Sequence, residues 1–427
     1  MRIAFLTHEP FYPPSGGGSA EAVYLAQEFV RRGHRVHVFG PPVSEPEAVR
    51  QKHGVELHPF TRWRMGRYTW LRNLKYLFYP FFLERLVESA AREVRFDLVL
   101  SQHAISAVAA GRLRQRLRVP VVMNFLDYLT GFMETWPAWL MPPPLLAVLK
   151  RYELSLPRRY GADAVLTVSD TLADYFEAAG YPRARLLPIY YGYDADLFGL
   201  DEAAVASRRD DPPTLVMHGS LDHHHLQRVA LEAVARVQAE RPDAVFRFVG
   251  HQTEAWWRFA QQLARRVPKA TVVHTRSIPY REVASTLLAH ERRPLVVHTG
   301  FLPYREVARD LAGASVGLVP YEESTGVHCA FVAKVVEYLG LGLPVVCTPL
   351  KAIQRYFRQE PLVKFSTFDG RDFGEQILAW LREPLARRNE WGRQASAKVR
   401  AALDWRVICA KAVGFVEQVS GGSQKTN

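Results

Sequence analysis

Lys334 and Glu337 stand three residues apart in the stretch PYEESTGVHCAFVAKVVEYLGLGLPVVCTP, which runs from Pro320 to Pro349. In a helix that spacing puts an ammonium and a carboxylate on one face. The ammonium is a point charge suited to phosphate, and the carboxylate accepts hydrogen bonds from sugar or ribose hydroxyls. The loop before them is rich in Ser, Thr and Gly, and a helix N-terminus after such a loop offers backbone N–H groups to an anion. An exposed Lys–Glu pair on an ordinary helix, which is common and weak, is the alternative. A second set is Gly16-Gly17-Gly18, where missing Cβ atoms let backbone approach a ligand or simply make a turn. A third is His103 and Asp127, each just after a run that reads as a strand. Open α/β sheets bind ligands at the C-terminal ends of their strands. A capping or surface role is the other reading of both residues.

These groups need elements to hold them. Ser315–Val319 and Pro344–Cys347 have the length and branching of buried parallel strands. Ala330–Leu339 between them predicts a helix ended by Gly340 and Gly342, with Phe331, Val335 and Tyr338 or Leu339 on its other face. At the start of the chain, Arg2–Thr7 predicts a strand, Ala20–Arg32 a helix closed by Gly33, and Val36–Phe39 a second strand. A dinucleotide fingerprint would need a third glycine, but Glu21 occupies that place, so that reading is excluded. Further strands are predicted at Phe96–Leu100, Pro120–Asn124 and Gly161–Ser169, with Ser169 capping the next helix. Asp201–Pro213 reads as a linker, Thr214–His218 as the first strand of a second domain, and Val245–Val249 as its next. Val272-Val-His-Thr with Pro279–Ala284 recurs as Val296-Val-His-Thr with Pro303–Ala308, an offset of 24 residues. The copies are too few for a solenoid and predict an added strand–helix or a surface excursion. After Pro349 two or three helices are expected, ending near Val419, with a frayed tail from Ser420.

With 427 residues the chain holds two to three domains' worth of core, and its 48% hydrophobic content is that of a globular protein. The net charge of +12 fits an anionic partner such as a nucleotide diphosphate, an acidic membrane surface or nucleic acid. Three cysteines, Cys329, Cys347 and Cys409, have no CxxC spacing, which argues against a disulfide framework or a zinc site. No signal peptide and no membrane-spanning run are expected, so a cytoplasmic protein is the default. Arg62–Leu86 interleaves cationic and aromatic residues before an apolar run. Such a segment can lie in an anionic membrane interface or form a core-facing helix with a basic outer face. No recognised nucleic-acid module accompanies it. His223-His224-His225 looks like a metal tract, but no ligands at matching spacing lie nearby in sequence.

The Pro320–Pro349 stretch resembles the nucleotide-sugar motif of family-4-like, GT-B fold glycosyltransferases. It is most similar to a polysaccharide and teichuronic-acid-type subgroup with Lys-x-x-Glu-Tyr-Leu before Gly-x-Pro-Val-Val. The matching residues are Lys334, Glu337, Tyr338, Leu339, Gly342, Pro344, Val345 and Val346. Many relatives carry a second Glu eight positions before Glu337, where this chain has Cys329. The glycine loop looks like the family's opening, and Asp127 matches the Asp of its His-Asp pair, with Leu126 in place of the His. Leu187–Phe198 resembles the inter-domain connector with Tyr191 for its Asn, so Asp194-Ala-Asp196 is read as connector rather than metal site.

The resemblance covers nearly the whole chain. It implies an α/β protein of two Rossmann-like doubly wound domains facing a cleft: residues 1–204 for the acceptor, 205–395 for the nucleotide sugar, and 396–427 as a terminal helix crossing back, plus a tail. It implies that Gly219, Ser220, His225, Arg228 and Lys334 hold the donor diphosphate, with His225 where relatives place Lys. Glu337 would take the ribose, and the base would rest near Phe301 and Leu302. The acceptor, a glycan or a lipid-linked molecule, would lie against Gly16–Gly18, His103 and Asp127. Retention of configuration is implied, with no metal and no cofactor beyond the nucleotide diphosphate sugar as co-substrate. A role in cell-envelope polysaccharide synthesis, peripheral at the inner face of the plasma membrane, follows by the same resemblance. A GT-B fold sugar-nucleotide epimerase and a catalytically silent nucleotide-sugar binder are the alternatives.

Overall fold

Short runs of aliphatic and β-branched residues bury themselves as two seven-stranded sheets, and every paired strand in them is parallel. The computed structural model describes residues 1–14, 17–60, 75–267, 272–274 and 296–423. It divides into two units. Unit 1 is Met1–Gly192 with Cys329–Phe331 and Trp405–Asn427, and unit 2 is Tyr193–His328 with Val332–Asp404.

In unit 1 the strands are β1 (Arg2–Leu6), β2 (Arg35–Gly40), β3 (Val55–Pro59), β4 (Leu98–Gln102), β5 (Val121–Phe125), β6 (Ala164–Thr167) and β7 (Leu186–Pro188). Their order across the sheet is β3-β2-β1-β4-β5-β6-β7. Helices α1 (Gly18–Arg31), α2 (Pro46–His53), α3 (Lys75–Ala90), α4 (His103–Leu117), α5 (Leu129–Phe132), α6 (Pro143–Tyr160) and α7 (Asp170–Ala178) connect them. Strands covered by helices on both faces need continuous apolar runs, and every residue of β4 and β5 is buried. Ser169 accepts from Leu172 N at 3.1 Å and caps α7, as its position predicts. The chain order reverses between β1 and β4, which is where open sheets place their ligands.

Unit 2 repeats the architecture with β8 (Thr214–His218), β9 (Val245–Val249), β10 (Val272–His274), β11 (Val296–His298), β12 (Val316–Val319), β13 (Val345–Cys347) and β14 (Val363–Phe365). The order is β10-β11-β9-β8-β12-β13-β14, with its reversal between β8 and β12. Helices α8 (Glu202–Ser207), α9 (Arg228–Glu240) and α10 (Glu254–Arg266) come first, and six more follow between Tyr304 and Leu403 among the described residues. The duplicated strands pair with each other in repeat register, Val272 with Val296 and His274 with His298. The first copy is therefore an added edge strand. Its Pro279–Ala284 part lies outside the described residues.

Three expectations are corrected. The helix predicted over Ala330–Leu339 begins only at Ala333 and runs to Gly340, and a separate short helix, Thr325–Cys329, precedes it. Residues Cys329–Phe331 leave unit 2 for unit 1, where the Ser169 hydroxyl donates to Cys329 O at 2.6 Å and the Phe331 ring lies 5.0 Å from Tyr190. The predicted linker contains α8, capped by Asp201 accepting from Ala203 N at 2.9 Å. Beyond Pro349 the chain adds β14 and four helices, Lys351–Phe357, Gly370–Arg382, Leu385–Leu403 and Trp405–Ser423. A three-residue strand is too short for periodicity to reveal.

One close approach in unit 2 yields a test. A Cβ on Gly317 would sit 2.4 Å from Cδ2 of Tyr338 and 2.5 Å from its Cγ. The ring cannot retreat, because its hydroxyl donates to Val216 O at 3.2 Å and faces His218 Nδ1 at 3.1 Å. Gly317→Ala is expected to cost about 1–3 kcal/mol by overpacking, read as a lower urea midpoint. An unchanged midpoint would mean that the ring is not fixed there.

Candidate functional site

The C-terminal ends of β8 and β12 bring together much of the predicted donor set in unit 2. Lys334 and Glu337 share a face of the helix Ala333–Gly340, as their spacing requires, but both are buried. The exposed-pair alternative therefore fails. The Lys334 ammonium lies 3.3 Å from His225 Nε2 and donates to the Tyr321 hydroxyl at 3.2 Å. Gly219 has φ +104, and a Cβ there would stand 3.2 Å from Lys334 Cε and 3.4 Å from Nζ. Glycine both permits that backbone and leaves room for the ammonium beside it.

His225 is buried among His224, Lys334 and His218, and burial followed by those charges pushes its pKa well below the ordinary histidine value. It is neutral at physiological pH, so it does not replace the charge of the lysine that relatives carry at its position. The Ser220 backbone hydrogen-bonds to it. Arg228 opens α9, but its guanidinium is exposed and donates to Phe368 O at 3.1 Å. Glu322 accepts from Val229 N at 2.8 Å and so caps α9 with a carboxylate. The cation that the structure places at Gly219 is Lys334.

Glu337 is held from two sides. One carboxylate oxygen lies 2.6 Å from His218 Nε2, and the other accepts from the Tyr304 hydroxyl at 2.6 Å. Burial pushes its pKa up, but His218, Tyr304 and Lys334 together outweigh burial and hold it below the ordinary carboxylate value. A carboxylate has about four lone-pair sites, so two remain for an incoming hydroxyl. Tyr304 follows the Gly300–Pro303 turn directly, which ties that turn to Glu337. In the turn Leu302 is buried, while Phe301 is 53% exposed and stacks on His251 with centroids 4.5 Å apart. Tyr304→Phe is expected to destabilise the protein by about 1–2 kcal/mol at pH 7. A depressed carboxylate pKa stabilises above the unfolded value and ceases to do so as pH falls through the folded value. The loss should accordingly shrink toward pH 3, and a constant difference in urea midpoints at pH 7 and pH 3 would refute the assignment.

Unit 1 assembles a second cluster at the ends of β1, β4 and β5. Gly17 precedes α1 with φ 59, and Gly18 begins the helix, while Gly16 lies outside the described residues. His103, the first residue of α4, adopts φ 66, a left-handed backbone that is costly for a residue with a Cβ. A Cβ on Gly18 would meet its Nε2 at 2.6 Å. Gln102 donates to Gly18 O at 2.8 Å and accepts from Thr7 at 3.1 Å, fixing the loop on the sheet. Asp127 lies in the loop after β5 and acts electrostatically on Glu21.

Glu21 is the residue that the sequence reading used only to exclude a fingerprint. It is 1% exposed, accepts from the Asn124 amide, and has its other carboxyl oxygen buried without a hydrogen-bond partner among the described residues. Burial, with a smaller contribution from Asp127, pushes its pKa up to about 8 against the Asn124 hydrogen bond. At neutral pH it is an uncharged acid with a proton to donate. His218, Tyr304 and Tyr321 were also missed, because sequence distance hides their convergence. The Asp194-Ala-Asp196 pair forms a turn, with Asp194 accepting from Asp196 N at 2.9 Å and Leu197 N at 3.1 Å. Among the described residues no group of His, Cys, Asp and Glu converges to hold a metal ion.

Residues 15–197 match the family described as Glycosyltransferase Family 4, and residues 212–383 match Glycosyl transferases group 1. No curated protein is significantly similar. Among solved structures, sucrose-phosphate synthase from Thermosynechococcus elongatus superposes with a TM-score of 0.73 at 15% identity, covering 99% of each chain. Anabaena HepE in complex with UDP-glucose gives 0.68 at 18% identity over 99% of this chain and 100% of that one. The α,α-trehalose 6-phosphate synthase from Burkholderia multivorans gives 0.67 at 14%, again over 99% of each chain. The structural likenesses establish the fold and the matched domains establish the lineage: the chain belongs to the family-4-like glycosyltransferases of the GT-B fold.

Proposed function

We propose that the protein transfers a sugar from a nucleotide diphosphate sugar to a glycan or lipid-linked acceptor in cell-envelope polysaccharide synthesis. The observation that carries this reading is the buried Lys334–Glu337 pair at the β8/β12 reversal, with Gly219 opening the backbone beside the ammonium. Lys334 and the backbone N–H groups of the turn after Gly219 would take the negative charge that develops on the departing diphosphate. Charge stabilisation of that kind is usually the largest catalytic contribution. Glu337 would accept from the ribose hydroxyls, and the base would rest against the exposed Phe301. Ser220, His225 and Arg228 would line the phosphate end, with His225 as a neutral polar neighbour. The UDP-glucose complex of the structurally similar HepE makes a uridine donor the first to test.

The acceptor would lie against the Gly16–Gly18 loop, His103 and Asp127 in unit 1. Retention of configuration and independence from a divalent metal belong to this reading, as does attachment to an anionic membrane through residues 62–86. The part of that segment before Lys75 lies outside the described residues. Among the described residues no helix is long and apolar enough to cross a membrane.

Incubation with a panel of UDP- and GDP-sugars, with and without envelope lipid or glycan extracts, tests the reading. Free nucleotide diphosphate released only with an acceptor supports transfer. An epimerised donor recovered without an acceptor, or donor binding without turnover, would replace it with one of the other two readings.

A further inference from the structure

Tyr191 stands where the family's connector carries Asn, and its surroundings in unit 1 are specific. Its hydroxyl donates to the carbonyl of Gly17, 174 residues away in sequence. Its buried ring packs edge-on against Trp405, with centroids 4.9 Å apart. Trp405, which opens the last helix, stacks in turn on Tyr24 of α1 at 5.7 Å. The indole thus ties the Tyr191 ring to the same helix that Gly18 begins. The backbone before Tyr191 is strained. Tyr190 adopts φ 49, a left-handed conformation that is costly for a large side chain. Its hydroxyl donates to Asp170 at the start of α7, and its ring lies 5.0 Å from Phe331. Two adjacent tyrosines therefore reach different targets, Tyr190 on α7 and Tyr191 on the glycine loop. Strain of this kind persists only where the surroundings over-determine it, and it clusters at working sites.

On the loop side, Gly17 has φ 59 and ψ −140, which glycine adopts far more readily than any other residue. Its carbonyl accepts from Tyr191 and, at 3.4 Å, from Glu21 N. The second of these bonds is too long to hold the peptide by itself. The next carbonyl, Gly18 O, accepts from the buried Gln102 at 2.8 Å. A trans peptide is planar, so a carbonyl held by a buried side chain turns the following N–H the opposite way. Tyr191 fixes the direction of the Gly18 N–H in this manner, and Gln102 that of the Ser19 N–H.

We infer that Tyr191 is a positioning residue for sugar transfer: its hydroxyl orients the Gly17–Gly18 peptide that receives an oxygen of the acceptor. The inference rests on the proposed placement of the acceptor at this loop. It goes further by giving a role to the connector position at which this chain carries Tyr for the family's Asn. Tyr191 touches neither substrate and acts through the loop alone.

Tyr191→Phe removes the hydroxyl and keeps the ring against Trp405. Hydrogen exchange and steady-state kinetics of the wild type and this variant, with the donor and acceptor found in the panel, test the inference. Exchange of the amides at the start of α1 should quicken by about fivefold or more, while β4 and β5 keep wild-type protection. The acceptor KM should rise about three- to tenfold, the effect of one neutral hydrogen bond, with the donor KM within about twofold of wild type. Wild-type exchange at α1 overturns the inference, and so does faster exchange with an unchanged acceptor KM or a rise confined to the donor KM. Loss of protection throughout unit 1 does so too, since the hydroxyl would then serve the fold and not the loop. A wild type that transfers sugar to no acceptor is a different result: it refutes the proposed function itself and takes this inference with it.

Discussion

Lys334→Met is expected to lower kcat/KM for sugar transfer by roughly two to three orders of magnitude while leaving the unfolding midpoint near that of the wild type. Lys334 is 7% exposed, and its ammonium faces the neutral His225 imidazole and the Tyr321 hydroxyl. Neither neighbour carries a charge that could substitute for it, because His225 is held neutral by its burial. Arg228, the other predicted cation, is engaged with Phe368 O and exposed. A methionine fills the same channel beside Gly219 and removes the charge together with the donation to Tyr321, and an uncharged chain there avoids the desolvation cost of an ammonium. Lys334→Arg is expected to rescue little. A planar fork is wider than an ammonium, and the Lys334 ammonium already stands 3.4 Å from where a Gly219 Cβ would be and 5.3 Å from the Tyr321 ring centroid. Initial-rate kinetics with the donor found in the panel decides the matter. A Lys334→Met protein within threefold of wild type would remove the ammonium from the mechanism.

The second large effect concerns stability. Glu21→Gln should raise the melting temperature at pH 8 and leave it nearly unchanged at pH 4.5. The carboxyl is fully buried, with a folded pKa of about 8 against an ordinary 4.5. Between those values the folded protein keeps the proton and the unfolded chain releases it, so stability falls as pH rises through the window. The full span corresponds to on the order of 4 kcal/mol. Glutamine keeps the acceptor that Asn124 uses and has no proton to lose, so that slope disappears. Glu153, raised to about 7 by burial, slopes the same way in both proteins and cancels in the difference. Calorimetric scans of the two proteins across pH 4.5 to 8 provide the comparison. A melting difference that does not change with pH would mean that Glu21 is ionised in the folded protein.

Much of the scaffold was legible because parallel strands announce themselves as short apolar runs, and Thr214–His218 and Val245–Val249 have the bounds read from sequence. The pairing of Lys334 with Glu337 was legible from helical spacing, and their burial was not. That burial depends on His218, Tyr304 and Tyr321, which lie 119, 33 and 13 residues away in sequence from the groups they hold. Glu21 could have been found. It shares a helical stripe with Leu25 and Phe29, both fully buried, so the periodicity already placed an acid on the inner face of α1. The break at Ala330–Val332 carries no glycine or proline signal, and it follows directly on the tertiary hydrogen bond from Ser169 to Cys329. The His223–His225 run illustrates the converse. A conspicuous pattern resolves into one buried neutral imidazole beside two half-exposed ones.

The most direct test of the central claim is a crystal structure of the chain with UDP bound. A diphosphate oxygen is expected within about 3 Å of Lys334 Nζ, and the ribose hydroxyls should donate to the Glu337 carboxylate, with its His218 and Tyr304 contacts retained. UDP bound away from both side chains, or with its phosphates held by Arg228 while Lys334 keeps only Tyr321 and His225, would contradict the account.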